Sequence, residues 1–413
     1  MINLNVEKNK NLIQKYDFFE NDYLNFITLK YDNEGNFWNE NERKKIIRNY
    51  ILNHKSYRNI QFITNEEIEK RYHFKKTIKK DIFYQFKETY KNIPNYINHF
   101  QVRKNLEIIN NNLIYCKKYG IEIFDIISKR NESLLNYNEE ESNKIICFTT
   151  KLLNNNFYVC IGKMNSLCEL YEIKNEDYIK CRNLKNNILT PENKIILKLN
   201  DVNNQEESIN YLKFLPENKL LRTGNDSYIK IYDLNKNNKI TYELKSENPI
   251  NHCDINNNIL ISVGDEININ IFDMREKKIL YKLNEHYDYG IVIKFNEYNN
   301  NYFASGNQDV SCKIWDIRFL KKSIYTLFGN YECIGDLIWM KNNNICFMEN
   351  SFFGHVFNYN LNCIQNFQFL GFFNGIQYLH SKDSFFFNVQ NGNNGDIVCF
   401  ESIKGKNCLN KFF

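Results

Sequence analysis

The stretch that decides the fold is Ala304-Ser305-Gly306-Asn307-Gln308-Asp309-Val310-Ser311-Cys312-Lys313-Ile314-Trp315-Asp316. A short apolar strand runs into a tight polar turn, and an alternating strand then closes on Trp-Asp. Alternation of this kind marks a strand with one face buried. Two further copies follow the same plan. One reads Thr223-Gly224-Asn225-Asp226-Ser227-Tyr228-Ile229-Lys230-Ile231-Tyr232-Asp233, the other Ser262-Val263-Gly264-Asp265-Glu266-Ile267-Asn268-Ile269-Asn270-Ile271-Phe272-Asp273. Each closes on an aromatic residue followed by Asp.

Following that closing position along the chain turns one strand into an array. It falls at Asp125, Glu172, Asp233, Asp273, Asp316, Asn358 and Glu401, at intervals of 47, 61, 40, 43, 42 and 43 residues. A repeat of about 40–45 residues accommodates four short strands. One four-stranded sheet cannot bury both of its faces, whereas sheets stacked radially bury them and leave only short edges. Seven marks imply an all-β, seven-bladed propeller over residues 98–403, with a tail at 404–413. The long interval holds polar, Asn- and Lys-rich chain at 174–207, which reads as an insertion between blades two and three. Only four prolines occur in 413 residues, as suits a strand-rich array.

The fifth repeat resembles the WD-repeat (WD40) family closely enough to carry over that family's hydrogen-bonded tetrad. His286, Ser305, Asp309 and Trp315 match its histidine, serine, turn aspartate and tryptophan. The resemblance implies that these side chains tie the turn, the inner strands and the preceding loop of one blade together. Blade three keeps Thr223, Asp226 and Tyr232, and blade four keeps Ser262, Asp265 and Phe272. Blades one, two, six and seven rest on spacing, which leaves six or eight blades open.

A longer resemblance runs from His286-Tyr287-Asp288-Tyr289 to Trp315-Asp316-Ile317-Arg318 and on into Leu327-Phe328-Gly329-Asn330. It is to a poorly characterised fungal and plant group of WD-repeat proteins with an S-G-N-Q-D-x-x-C-x-x-W-D-x-R blade. Upstream, His99-Phe100-Gln101-Val102-Arg103-Lys104-Asn105-Leu106 matches the same group, while Gly290 departs from its usual Ser.

Composition narrows the function. The 72 asparagines, many in runs such as Asn110-Asn111-Asn112 and Asn342-Asn343-Asn344, fit turns, because Asn tolerates left-handed backbone. Twelve cysteines begin at Cys116 and form no C-x-x-C pair, which reads as buried thiols of a cytoplasmic or nuclear protein. His252-Cys253 is half a metal site without a second half, so no metal and no cofactor is implied. No stretch reaches the ~18 apolar residues of a membrane span. Phosphate-binding loops, nucleophile elbows and zinc-protease helices are absent, so no catalytic residue is assigned.

Residues 1–97 carry no repeat mark and read as an extension, with helical stretches at 41–52 and 66–80, packed on the propeller's side or rim. Between Lys70 and Lys104 ten Lys or Arg face only Asp81 and Glu88, interleaved with aromatics. Lys75, Lys76, Lys79 and Lys80 could serve nucleic acid in such a segment, or stay solvated while the aromatics anchor.

The leading expectation is a non-catalytic scaffold that binds other proteins, since loops on a rigid support are where binding sites collect. Tyr287, Asp288, Asn307 and Gln308 are the candidate partner-binding residues near the blade-five loops, with local turn chemistry as the competing role. Arg275 in Phe272-Asp273-Met274-Arg275 and Arg318 in Trp315-Asp316-Ile317-Arg318 fit a W-D-x-R pattern. A similar pair in substrate receptors of cullin-type ubiquitin ligases helps dock the receptor onto its adaptor. A third expectation is association with RNA or chromatin through the basic segment.

Overall fold

A computed structural model describes residues 84–93, 106–140, 144–153, 156–165, 167–173, 195–199, 207–236, 239–329, 332–357, 363–391 and 394–402. The strand that opens this set, β1 (Tyr84–Ile93), belongs to the last blade. Blade one is β2 (Leu106–Ile109), β3 (Asn112–Lys117), β4 (Gly120–Asp125) and β5 (Arg130–Asn136). Blade two is β6 (Ile145–Leu153), β7 (Asn156–Lys163), β8 (Cys168–Ile173) and β9 (Ile195–Leu199). Blade three is β10 (Ile209–Leu215), β11 (Lys219–Gly224), β12 (Tyr228–Asp233) and β13 (Lys239–Lys245). Blade four is β14 (Ile250–Asn256), β15 (Ile259–Gly264), β16 (Ile269–Asp273) and β17 (Lys278–Leu283). Blade five is β18 (Gly290–Phe295), β19 (Tyr302–Asn307), β20 (Ser311–Asp316) and β21 (Tyr325–Phe328).

Blades six and seven share a strand. Blade six is β22 (Ile334–Trp339), β23 (Ile345–Glu349), β24 (Ser351–Phe357) and the first half of β25 (Cys363–Leu379). The second half of β25 turns to pair with β26 (Ser384–Asn391), which pairs with β27 (Asn394–Ser402). The fourth strand of blade seven is β1, antiparallel to β27 with Tyr84 opposite Ser402 and Thr89 opposite Val398. Six of the seven closing positions fall on third strands: four end β4, β12, β16 and β20, and Glu172 and Glu401 lie within β8 and β27; Asn358 lies outside the described residues.

Two boundaries differ from the sequence reading. Residues Ile195–Leu199 lie within the expected insertion at 174–207, yet they form β9 and complete blade two against β8. The extra chain therefore sits inside blade two, between its third and fourth strands. An apolar Ile-Ile-Leu run can finish a sheet, and the polar chain before it cannot. Likewise β1 comes from within 1–97, the segment set aside as an extension, so the propeller begins before residue 98. The expected helices at 41–52 and 66–80 lie outside the described residues.

Asparagine does what its turn chemistry allows. Asn110, Asn218, Asn257 and Asn343 all take positive φ, between 51° and 59°, and each lies between the first and second strand of its blade. Among L-residues, Asn and Asp enter that region at least cost.

The blades lock through their first strands. In blades two to seven each first strand carries a register shift near its start, as at Ile209/Tyr211 and Ile250/His252. The extra residues reach across the seams: Asn210 Nδ2 donates to the Ile250 carbonyl at 3.0 Å, and Asn251 Nδ2 to the Gly290 carbonyl at 2.9 Å. Ion pairs repeat the theme, with Lys213 2.6 Å from Asp254 and Lys294 2.7 Å from Asp336. Gly306 permits the close approach of blades five and six, since a Cβ there would lie 2.6 Å from Ile334 Cγ2. Between blades seven and one, Leu379, Phe386 and Ile397 pack on Leu106, Leu113 and Phe124. There Gln377 Nε2 also donates to the Leu106 carbonyl at 2.9 Å.

Candidate interaction faces of the propeller

Antiparallel strands alternate in direction, so the ring has two unlike ends. One end, the crossover face, gathers the links between blades and the turns between second and third strands. The other, the hairpin face, gathers the turns between first and second and between third and fourth strands.

The blade-five tetrad is built under the crossover face. His286 precedes β18, Ser305 lies in β19, Asp309 in the following turn and Trp315 in β20. Trp315 Nε1 donates to Ser305 Oγ at 2.9 Å, and His286 Nε2 meets the same oxygen at 2.8 Å. His286 Nδ1 lies 2.9 Å from Asp309, which also accepts from the Tyr287 amide at 3.0 Å and from the Ser311 hydroxyl at 2.6 Å. All four members are buried. Burial alone would raise the Asp309 carboxyl, but the His286 imidazole, the Ser311 hydroxyl and the Tyr287 amide outweigh it and hold it below its ordinary value.

Other blades fill the same region with different chemistry. In blade two Tyr171 stands where Trp315 does, and Tyr137 precedes β6 as His286 precedes β18. Their hydroxyls meet at 2.6 Å and both donate to Glu169, at 2.8 and 2.7 Å. Glu169 pairs with buried Lys163 at 2.9 Å, and that ammonium lies 3.9 Å from the centre of the Tyr137 ring. Burial opposes the Glu169 charge, yet Lys163 and the two tyrosines lower its carboxyl overall. In blade six His355 Nε2 meets Glu349 at 2.6 Å. In blade three Asp226 pairs with buried Arg222 at 2.6 Å, in place of a histidine. His252 stacks on Tyr211 with ring centres 3.8 Å apart, Cys253 is fully buried, and no metal-ligand cluster occurs among the described residues.

The structure separates the candidate partner-binding residues. Tyr287, Asp288 and Gln308 are half-buried on the crossover face. Asn307, beside them, is buried: its amide donates to the Asp288 carbonyl at 2.8 Å and its oxygen accepts from the Asp309 amide at 2.9 Å. That side chain builds the turn.

Arg275 and Arg318 lie on the hairpin face, in the third-to-fourth-strand turns of adjacent blades. Each guanidinium forks onto the aspartate of its own motif. Arg275 meets Asp273 at 3.1 and 2.6 Å, and Arg318 meets Asp316 at 2.9 and 2.6 Å. The Arg275 hydrogen bonds hold the Asp273 carboxyl down to about 2, and Arg318 lowers Asp316 likewise. The arginine side chains remain 68% and 60% exposed, so both guanidiniums are aimed and reachable. Also on this face, Tyr298 and His380 join the turns of blades five and seven, with the hydroxyl 2.7 Å from Nε2. No sequence signal pairs these two, because 82 residues separate them. Lys75, Lys76, Lys79 and Lys80 lie outside the described residues.

With this geometry in view, comparison with solved structures decides the architecture. A chain of the "Crystal Structure of Mitotic Checkpoint Complex" superposes with a TM-score of 0.62 over 77% of this chain and 94% of that one, at 12% identity. The WD40 β-propeller domain of Doa1 superposes at 0.60 over 78% and 98%, at 10% identity. The chain has the fold of a WD40 β-propeller. Identities this low speak to fold alone. No family model matches. Among curated proteins, a "Ribosome biogenesis protein WDR12 homolog" of Drosophila mojavensis is 27% identical over 139 residues, 32% of this chain and 33% of that protein. The Drosophila willistoni homolog is 24% identical over 160 residues, 38% of each. The chain thus matches only 33% and 38% of the length of these relatives.

Proposed function

We propose that this WD40 propeller is a non-catalytic scaffold that holds other proteins together in a multi-protein assembly of the nucleus, the cytoplasm or both. The observation that carries this reading is the pair of unlike loop faces on one closed ring, each with side chains already fixed in place. Rigid loops lose little entropy on binding, which favours broad protein contacts. The likeness to proteins named for ribosome biogenesis supports an assembly role and favours the nucleus. In a native extract sized by gel filtration, the chain should elute well above the mass of one copy and stay there after nuclease treatment. Elution as a single copy would overturn the reading, and a nuclease-sensitive shift would favour RNA or chromatin association through the basic segment.

A second reading is favoured by the forked Asp273–Arg275 and Asp316–Arg318 pairs, which present two guanidiniums on adjacent blades of one face. They suit docking onto an adaptor, including that of a cullin-type ubiquitin ligase. Arg275→Ala plus Arg318→Ala should abolish binding to such an adaptor while the propeller keeps its melting temperature. Retained adaptor binding would remove this reading.

A further inference from the structure

The outer strand of blade four departs from the outer strands of blades one, three and five. β13 buries Tyr242 and Leu244, β5 buries Leu134 and Leu135, and β21 buries Leu327. In β17 five consecutive residues are exposed and only Leu283 is buried. Three of the five are large and apolar: Ile279 at 44%, Leu280 at 42% and Tyr281 at 54% exposure. Single exposed apolar residues are ordinary on a protein surface, but a contiguous run marks an interaction site.

Ile271 pairs with Tyr281 and Phe272 with Ile279, so Leu280 is the extra residue of a bulge, as Thr241 is in β13 and Leu134 in β5. What sets β17 apart is Tyr281, exposed where Tyr242 at the same register of β13 is buried. The bulge interrupts the edge against an incoming strand. Recognition here therefore falls to side chains.

Charge selects the partner. Lys278 and Lys282 flank the apolar run, and β17 carries no carboxylate. Their present partners are exposed Glu276 at 4.0 Å from Lys278, and exposed Glu247 at 3.4 Å and half-buried Glu266 at 3.1 Å from Lys282. The two pairs with exposed acids exchange at little cost. Lys277 reaches over the Tyr242 ring of β13 at 5.6 Å, which joins the patch to the rim of blade three, where Ile240 is also exposed. A second copy of this chain is a poor occupant. A two-fold pairing about Leu280 sets Lys278 of each copy against Lys282 of the other, and like charges placed opposite repel.

We infer that the rim of blade four, from Lys278 to Lys282, is a docking surface for an acidic segment of a partner protein that carries apolar side chains between its carboxylates. This rests on the reading of the chain as a protein-binding scaffold. The test pans a phage-displayed random peptide library on the immobilised full chain. Recovered peptides should combine Asp or Glu with Leu, Ile or Phe, and should lose affinity as salt is raised. Ile279→Ser plus Tyr281→Ser, and separately Lys278→Glu plus Lys282→Glu, should each weaken binding by at least roughly tenfold. All four positions are exposed, so both variants should melt with the wild type. Peptides that bind the two variants as well as wild type, a basic or neutral consensus, or no enrichment would each overturn the inference. So would a concentration-dependent dimer abolished by Ile279→Ser plus Tyr281→Ser, since the occupant would then be a second copy. The peptide outcomes leave the native elution size unchanged, and a dimer shows in the purified chain alone, so failure here and failure of the scaffold reading are distinguishable.

Discussion

The Trp315 indole reaches Ser305, Ser305 reaches His286, and His286 reaches Asp309, so one buried chain of hydrogen bonds ties β19, β20, their turn and the link from blade four. Ser305 is the shared node. Ser305→Ala should cost about 1–3 kcal/mol in chemical denaturation, because it strands the indole N–H and one imidazole nitrogen. The same experiment should show the pH dependence of Asp309. Its folded pKa is depressed, so its stabilisation is complete above the ordinary carboxylate value of about 3.9 and is lost as pH falls through the lower folded value. Lys163→Met in blade two should cost about 3–5 kcal/mol, because it leaves Glu169 buried without its cation. Adding Glu169→Met should recover much of that loss. The tetrad was legible because its residues match a known pattern at known spacing. The network of Tyr137, Lys163, Glu169 and Tyr171 was not, since it serves the same region with residue types that no pattern lists.

At the scale of the element, alternation and the Trp-Asp type of ending placed the third strands well, even in blades with no tetrad. Two strands escaped. β9 lies beyond a polar stretch, and β1 lies more than 300 residues from its partner β27. Periodicity reports a strand's own faces and is silent on which distant edge needs a partner. Tyr84 makes the role of β1 concrete: it is 2% exposed and packs edge-on against Phe385 with ring centres 4.7 Å apart. Its backbone amide also donates to Gln365 at 2.8 Å. A chain truncated just before Tyr84 is the reference. One truncated after Ile93 should melt lower and show faster amide exchange in β26 and β27, with blade five unchanged. Equal melting of the two truncations would mean that β1 does not fasten the ring.

For the whole molecule, the blade count followed from seven marks, and sheets that need radial neighbours made a closed ring the economical solution. The faces were less legible. Sequence placed Tyr287, Asp288, Asn307, Gln308, Arg275 and Arg318 in one group. Strand direction instead puts the two arginines at the end opposite the other four, and burial removes Asn307 from the accessible set. A scaffold with two usable ends should hold different partners at each. Arg275→Ala plus Arg318→Ala should therefore lose some partners and keep others, at unchanged melting temperature. The most direct measurement is affinity purification of the full chain from native cells, with nuclease and raised salt in separate arms. A protein-binding scaffold retains its protein partners after nuclease, while raised salt releases only those held by charge. Partners that leave with nuclease, together with nucleic acid that dissolves away steeply with salt, would contradict it.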